Sequence, residues 1–228
     1  MLTLEPDLVG LQEWYPRRWR ILGRTGRVRF SPGARLRLPG NAAPYLWNAP
    51  VLGGCVVGAR ADRFEPISSR VRLLSRPGLS DRVAHRRTME PGRIATVSVY
   101  RDLLSDRTVS LVNFHLVSGI QARGSYRQDR PALVERHQHE VLVLRTIVEE
   151  QLALGHVVHA TGDSNFDGLR LPGLTSAWEG RDHHPGTLGS LRKVDDVHGP
   201  GPAEVVTLVT TGSDHRAIVV RRPDPVSP

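Results

Sequence analysis

The segment PALVERHQHEVLVLRTIVEEQLALGHVVHATGDSN, residues 131–165, sets a long helix before a short strand and closes on an acidic turn. Pro131 stands where a helix begins, because proline presets the helical φ and lacks only an N–H that the first turn leaves unbonded anyway. Leu133, Val134, Val141, Leu142, Leu144, Ile147, Val148 and Leu152 follow at helical spacing, and Gly155 stops the run. Val157 to Ala160 is then an apolar strand that delivers Thr161-Gly162-Asp163-Ser164-Asn165 at its end.

Working outward, Ile94 to Tyr100 and Val109 to His115 read as strands joined by a turn containing Asp102, Ser105 and Asp106. Alternation in the second puts Val109, Leu111, Asn113 and His115 on one face. Lys193 to Val197, Val205 to Val209 and Ala217 to Val220 supply the last strands, and Leu8 to Leu11 the first. Between them lie a strand pair with irregular loops (17–49), an apolar stretch (51–59), a short strand (71–74) and an Arg-, Gly- and Pro-rich exposed loop (75–91). Many strands and one long helix predict an α/β domain of two packed sheets with outer helices. We expect residues 1–222 to form one domain and 223–228 a frayed tail.

Hydrophobic residues make up 39% and charged residues 24% of the 228, which excludes disordered, fibrous and membrane-spanning classes. The N-terminus lacks a basic region followed by an apolar one, so a cytoplasmic product without a membrane span is expected, monomeric by default. The lone Cys55, among Val51, Leu52, Val56 and Val57, reads as a buried apolar side chain and excludes an internal disulfide or a multi-cysteine zinc site. The net charge is +8, and Lys193 is the only lysine among 31 basic residues. Arg17, Arg18, Arg20, Arg24, Arg27, Arg29, Arg35 and Arg37 cluster beside Trp14, Tyr15 and Trp19. A nucleic-acid footprint, with guanidinium groups on phosphates and aromatics on bases, fits this cluster as well as a solvated loop does.

Polar groups fit for metal and proton chemistry stand at the ends of apolar strands. Glu13 follows Leu8 to Gln12, His115 ends Val109 to Phe114, Asp163 and Asn165 follow Val157 to Ala160, and Asp214 with His215 precedes Ala217 to Val220. If these strands lie side by side, one sheet edge collects carboxylates, imidazoles and an amide. Phosphodiester hydrolysis needs such a set: oxygen ligands for a hard cation, a base or orienter for water, and donors for charge on phosphorus. Asp163 and Asn165 can share a water and a phosphate across a tight turn; Asp214 can help hold a metal while His215 contacts a phosphate oxygen. Asp195 or Asp196 can orient His215 through its other nitrogen. Asp182, His183 and His184 read as a solvated loop.

Pro6-Asp7-Leu8-Val9-Gly10-Leu11-Gln12-Glu13, Asn113-Phe114-His115-Leu116, Gly162-Asp163-Ser164-Asn165-Phe166 and Ser213-Asp214-His215-Arg216 together resemble, in order, the signature blocks of the endonuclease/exonuclease/phosphatase superfamily. The resemblance runs from Pro6 to about Val220. It implies a two-sheet α/β sandwich and a Mg²⁺- or Mn²⁺-dependent phosphodiesterase or phosphatase. By position it makes Glu13 the principal metal ligand and Asp214 a metal-proximal neighbour. Asp163 and Asn165 become the pair that activates water and binds phosphate, His215 a phosphate contact and His115 a leaving-group or phosphate contact. Lys193-Val194-Asp195-Asp196-Val197 resembles the strand bearing the carboxylate partner of the histidine; register favours Asp195, with Asp196 the alternative. Members begin with an Asn-bearing strand, and here Met1 falls inside the helix that follows it. An exposed or rearranged sheet edge near Glu13 is therefore expected.

The function expected from these readings is a metal-dependent nuclease acting on DNA or RNA, with Arg17, Arg18 and Arg20 touching the backbone. A phosphatase or phosphodiesterase for a lipid headgroup, inositol phosphate or nucleotide is the alternative, as is a nucleic-acid-binding protein on a degraded scaffold. Metal dependence and salt-sensitive binding separate the three.

Overall fold

The computed structural model describes residues 4–14, 26–31, 34–35, 45–50, 54–83, 86–122, 124–189 and 191–223. Its first sheet has the order β1 (Leu8–Leu11), β5 (Val56–Arg60), β4 (Tyr45–Pro50), β2 (Gly26–Ser31), β3 (Ala34–Arg35). The second has the order β14 (Thr175–Ser176), β15 (Asp195–Gly199), β13 (Val157–Asp163), β10 (Thr108–His115), β9 (Arg93–Asp102), β6 (Phe64–Ser75). Three two-stranded pieces complete it: β7 (Gly78–Val83) with β8 (Arg86–Glu90), β11 (Gln121–Ala122) with β12 (Ser125–Tyr126), and β16 (Val205–Val209) with β17 (Ala217–Arg221). The chain is thus a two-sheet sandwich, and among the described residues it has one α-helix, α1 (Pro131–Ala153), where outer helices in the plural were expected.

The period-two pattern of the central strands divides their side chains between two interfaces. Val109 and Leu111 of β10 and Val157 of β13 join Val57, Ala59, Phe64 and Tyr100 between the sheets. Val112, Phe114, Val158 and Ala160 face the other way and pack on Leu144, Ile147 and Val148 of α1. Burial of each such large side chain contributes about 1.5–3 kcal/mol. Because β10 and β13 run parallel, the connection between them is long, and α1 supplies it.

Polar groups stitch the two sheets together. The fully buried Asn113 donates from Nδ2 to the carbonyls of Leu11 at 2.9 Å and Val56 at 2.8 Å, and its Oδ1 accepts from Gln12 Nε2 at 2.6 Å. Thr96 Oγ1 donates to the Cys55 carbonyl at 2.6 Å, and Asn48 Nδ2 reaches Ser98 Oγ and Tyr100 Oη at 3.2 Å each. Gly10 lies so close beneath this network that a Cβ there would sit 2.2 Å from Thr161 Cγ2, so only glycine fits. Cys55 is buried as expected, and burial pushes its thiol pKa up to about 12.

Within the stretch read as an exposed loop, β7 and β8 pair antiparallel instead. Ion pairing holds this arm in place of apolar alternation: the Arg82 guanidinium donates from Nε and Nη2 to buried Glu90 at 2.6 Å each. The arm also serves the helix. Arg130 provides no side-chain cap, and the Asp81 carboxylate accepts from the Ala132 and Leu133 amides at 3.0 and 2.9 Å.

Among the described residues β1 pairs with β5 alone and β17 with β16 alone. Between them lies a cavity of about 950 Å³, with Leu8 and Leu11 on one wall, Ile218 and Val220 on the other, and Leu111 and Val157 beneath.

Asn113→Ala removes a buried donor shared by the Leu11 and Val56 carbonyls, and we expect it to lower unfolding stability by about 2–4 kcal/mol. Urea denaturation measures this; an unchanged midpoint would show that the two sheets align without the amide.

Candidate active site

Strand pairing alone lines up three polar side chains at one edge of the second sheet. Asp195 of β15 is opposite Asp163 of β13, which is opposite His115 of β10. Neighbouring strands lie about 4.8 Å apart, so the three side chains form a row. Asp163 and His115 are buried, with His115 Nε2 and Asp163 Oδ2 3.5 Å apart. Burial, then the charges of Arg93 and His215, drive the His115 pKa down to about 3. The contact is therefore a neutral imidazole beside a carboxyl, not an ion pair. Asp163 is shifted the other way: burial raises its pKa, and the negative charge of Asp195 adds to the rise. A carboxylate so placed holds a proton more readily than an exposed one.

His215 joins the row from the loop before β17. Its Nδ1 lies 2.8 Å from Asp195 Oδ2, and a bridge from Leu188 to His215 fixes the backbone. The hydrogen bond to Asp195, reinforced by the charges of Asp195, Asp163 and Asp214, raises the His215 pKa to about 9. At neutral pH the imidazolium donates to Asp195 from Nδ1 and keeps Nε2–H, which has no partner among the described residues. This bond stabilises the folded chain below the ordinary histidine midpoint and is lost as the pH rises through about 9. Asp196, the alternative partner, points to the opposite side, where it accepts from Ser176 Oγ at 2.5 Å and from the amides of Ala177 and Val197.

The turn 163–166 is held by hydrogen bonds from its own side chains and from neighbouring elements. Asp163 Oδ1 accepts the Asn165 amide at 2.8 Å, and Asn165 Nδ2 donates to the Leu116 carbonyl at 3.0 Å. Asn165 adopts a left-handed backbone with φ 53°, a conformation asparagine tolerates better than most residues. Gly162 permits the close approach: a Cβ there would lie 2.1 Å from the Phe114 carbonyl oxygen. The Ser164 carbonyl is 2.8 Å from Nε2 of His137, whose Nδ1 is 3.1 Å from Tyr126 Oη. Sequence reading passed over His137. The available signal was a polar residue on the buried stripe Leu133, His137, Glu140, Leu144, Ile147 of α1, since such groups need partners. Glu140 has the same origin and ties the Val117 amide at 2.8 Å, just beyond His115.

The other expected site residues are spread around this group. Glu13 is exposed, with φ 56°, one residue beyond Gln12, which lines the same cavity as Asp195 and His215. Asp214 is exposed, and its Oδ1 accepts from Ser213 Oγ at 3.2 Å. Arg17, Arg18 and Arg20 lie outside the described residues. His183 and Asp182 are exposed, in keeping with a solvated loop. Ligand atoms of Asp163, Asp195 and His215 all fall within 4.8 Å of one another. The bond from His215 to Asp195 leaves the carboxylate oxygens of Asp163 and Asp195 as the readier donors to a hard cation.

No family model and no curated protein sequence matches this chain. Solved structures do. TDP2 from D. rerio in complex with a single-strand DNA product has a TM-score of 0.61 at 16% identity, covering 96% of this chain and 87% of that one. The mannosyl-6-phosphatase of Bacteroides thetaiotaomicron gives 0.61 at 14% identity, over 96% and 86%. An endonuclease/exonuclease/phosphatase from Bacteroides vulgatus gives 0.62 at 14%, over 96% and 85%. The chain has the deoxyribonuclease I-like fold that these proteins share.

In metal-free protein the His215 ring is expected to titrate near 9, and Asp195→Asn to bring the midpoint down toward about 6.5. NMR of the imidazole protons reads both values, and a midpoint unmoved by the substitution excludes Asp195 as the cause.

Proposed function

We propose that this chain, built on the endonuclease/exonuclease/phosphatase fold, is a divalent-metal-dependent phosphodiester hydrolase, most simply a nuclease for DNA or RNA. The observation that carries the reading is the row His115, Asp163, Asp195 with His215, in which one carboxyl and one imidazole have raised pKa values at a single sheet edge. Opposed roles for neighbouring groups follow from such shifts. Asp163 takes the proton of the attacking water, its Oδ1 held by the Asn165 amide. Asn165, with one Nδ2 hydrogen on Leu116, offers the other to phosphate. His215, kept cationic and oriented by Asp195, donates from Nε2 to a phosphoryl oxygen. Neutral His115 faces the leaving oxygen.

A divalent cation at this edge would neutralise charge on the phosphate and the leaving oxygen. Asp163 and Asp195 offer close oxygens for it, and Glu13 and Asp214 are the ligands that the family resemblance implies. Nucleic acid is favoured as substrate by the net charge of +8 and the arginine-rich stretch 17–37, and the D. rerio TDP2 of similar fold was solved with DNA. A sugar phosphatase shares the fold equally well, so substrate choice rests on charge.

Turnover of a panel of nucleic acids and small phosphodiesters is expected with Mg²⁺ or Mn²⁺ and to stop in excess chelator. Asp163→Asn and His215→Ala should each reduce it by at least ~100-fold with the fold intact. Near-parental rates in either folded variant, or cleavage in chelator, would falsify the assignment.

Neutralising Arg17, Arg18 and Arg20 together should weaken DNA and RNA binding regardless of sequence and flatten its dependence on salt, as loss of phosphate contacts does. An unchanged salt slope returns these residues to a solvated loop.

A further inference from the structure

The arm formed by β7 and β8 hangs from the catalytic end of the second sheet. β6 runs into β7 through Arg76 and Pro77, and β8 into β9 through Pro91 and Gly92. Both junctions lie at the end where His115 emerges, because β9 pairs Ala95 with Phe114 and Arg93 with Ser75. Side chains fix the arm there. Arg82 binds Glu90 and donates from Nη1 to Ser118 Oγ at 3.2 Å, three residues past His115, while Asp81 caps α1.

Strand pairing sorts the side chains of the arm between two faces. Ser80 and Glu90 are buried and joined by a hydrogen bond of 3.0 Å, so theirs is the face turned toward the body of the protein. Leu79 and Met89, paired across the arm, take the other face and are 57% and 67% exposed. Alternation sets Arg87 on that face beside Met89. Nearer the tip Val83 pairs with Arg86, and both are exposed; Arg76 at the base is exposed as well. Among the described residues Arg76, Arg86 and Arg87 have no acidic partner, whereas Arg60, Arg72, Arg101 and Arg127 each have one.

Apolar side chains rimmed by charge mark interaction surfaces, and the partner of this one must offer both negative charge and apolar ground. An anionic membrane and a nucleic acid both do. Leu79, Val83 and Met89 together carry fewer apolar carbons than one myristoyl chain, which alone holds a protein to a membrane only marginally. A wedge against base steps needs just one or two such side chains, and Leu and Met are among those that serve. A two-stranded ribbon also has the width that the groove of a duplex admits.

We propose that the β7–β8 arm enters a groove of a double-stranded nucleic acid, with Leu79 and Met89 against the bases and Arg86 and Arg87 on the flanking phosphates. The proposal rests on the nuclease reading and deepens it. A duplex with one phosphate over Asp163 and His115 continues past Ser118, where the arm is anchored.

The test measures binding of a short fluorescein-labelled DNA duplex to the full chain by anisotropy, in excess chelator so that no turnover intervenes. Leu79→Ser with Met89→Ser, and separately Arg86→Gln with Arg87→Gln, are each expected to weaken duplex binding about 10-fold or more. The arginine variant should also flatten the slope against log salt by about 2, and the apolar variant should leave that slope unchanged. Binding of the corresponding single strand, which has no groove, should fall less. Leu142→Ser, at an exposed apolar position of α1, should alter none of these. Parental duplex affinity in either folded double variant overturns the proposal, as does an equal loss on the single strand. Loss confined to binding of phosphatidylserine vesicles overturns it in favour of a membrane. Should one variant fail to fold, the other decides alone. If no phosphodiester is turned over and duplex binding still depends on the arm, the hydrolase reading fails and the arm stands; if the duplex is cut and bound by both variants as by the parent, the reverse holds.

Discussion

The buried amide of Asn113 is the constraint on which the rest of this structure depends. It sits where two apolar sheets meet, and a single side chain satisfies two carbonyls of the first sheet while accepting from Gln12. Apolar packing is non-directional and tolerates sliding; three hydrogen bonds in a dry interface do not. The alignment so fixed brings the end of β1 toward the ends of β10 and β13, where His115 and Asp163 emerge. Gly10 is the steric counterpart of the same constraint, since the close approach of β1 to Thr161 leaves no room for a side chain.

The electrostatics of the edge follow from how unequally it is buried. Asp163 is sunk between strands and short of solvent, so its charge is disfavoured; Asp195 faces His215 across 2.8 Å and finds its partner there. The same carboxylate thus stabilises the imidazolium and repels the charge of Asp163, pushing both pKa values upward from opposite ends of the protonation scale. His115, two strands away from that carboxylate and near two cations, is left neutral. Asp195, Asp163 and His115 are placed along the edge by strand order, and His215 comes from a loop held by its bridge to Leu188 and its bond to Asp195, which favours pre-organised chemistry over induced assembly.

Much of this was legible in the sequence, for physical reasons. Strands β10, β13, β16 and β17 and the long helix announce themselves through periodicities that reflect burial on one or two faces. Asp163, Asp195 and His215 end such segments and do converge. Register in the resemblance favoured Asp195 over Asp196; composition alone does not separate them, because both are acidic and adjacent, and β-strand alternation sends them to opposite faces, of which pairing with β13 sets Asp195 beside Asp163. The pair β7 and β8 escaped because an ion pair between Arg82 and Glu90, not apolar alternation, ties it together. Asn113 and His137 were hidden because their roles consist of contacts to backbone atoms 102 and 27 residues away, and backbone carries no signature in sequence. Glu13 was read from its motif, and its exposure depends on what flanks β1.

Among the described residues β1 is paired on one side only, and this bears on how firmly the site is built. A four-residue strand with ladder bonds on one side is the part of a sandwich that opens first, and its amides should exchange with solvent long before those of β10 or β13. Leu8, Leu11, Ile218 and Val220 line a cavity, and side chains that line a cavity make fewer close contacts than those of a packed core. Glu13 and Gln12 sit at the end of that strand, whereas Asp163 and His115 sit on the most protected ones. One half of the edge therefore belongs to the slow, globally unfolding core and the other to a fast local equilibrium. Any cation bridging the two halves would bind with an affinity diluted by the fraction of time β1 is frayed, and in binding would draw the strand into the protected core.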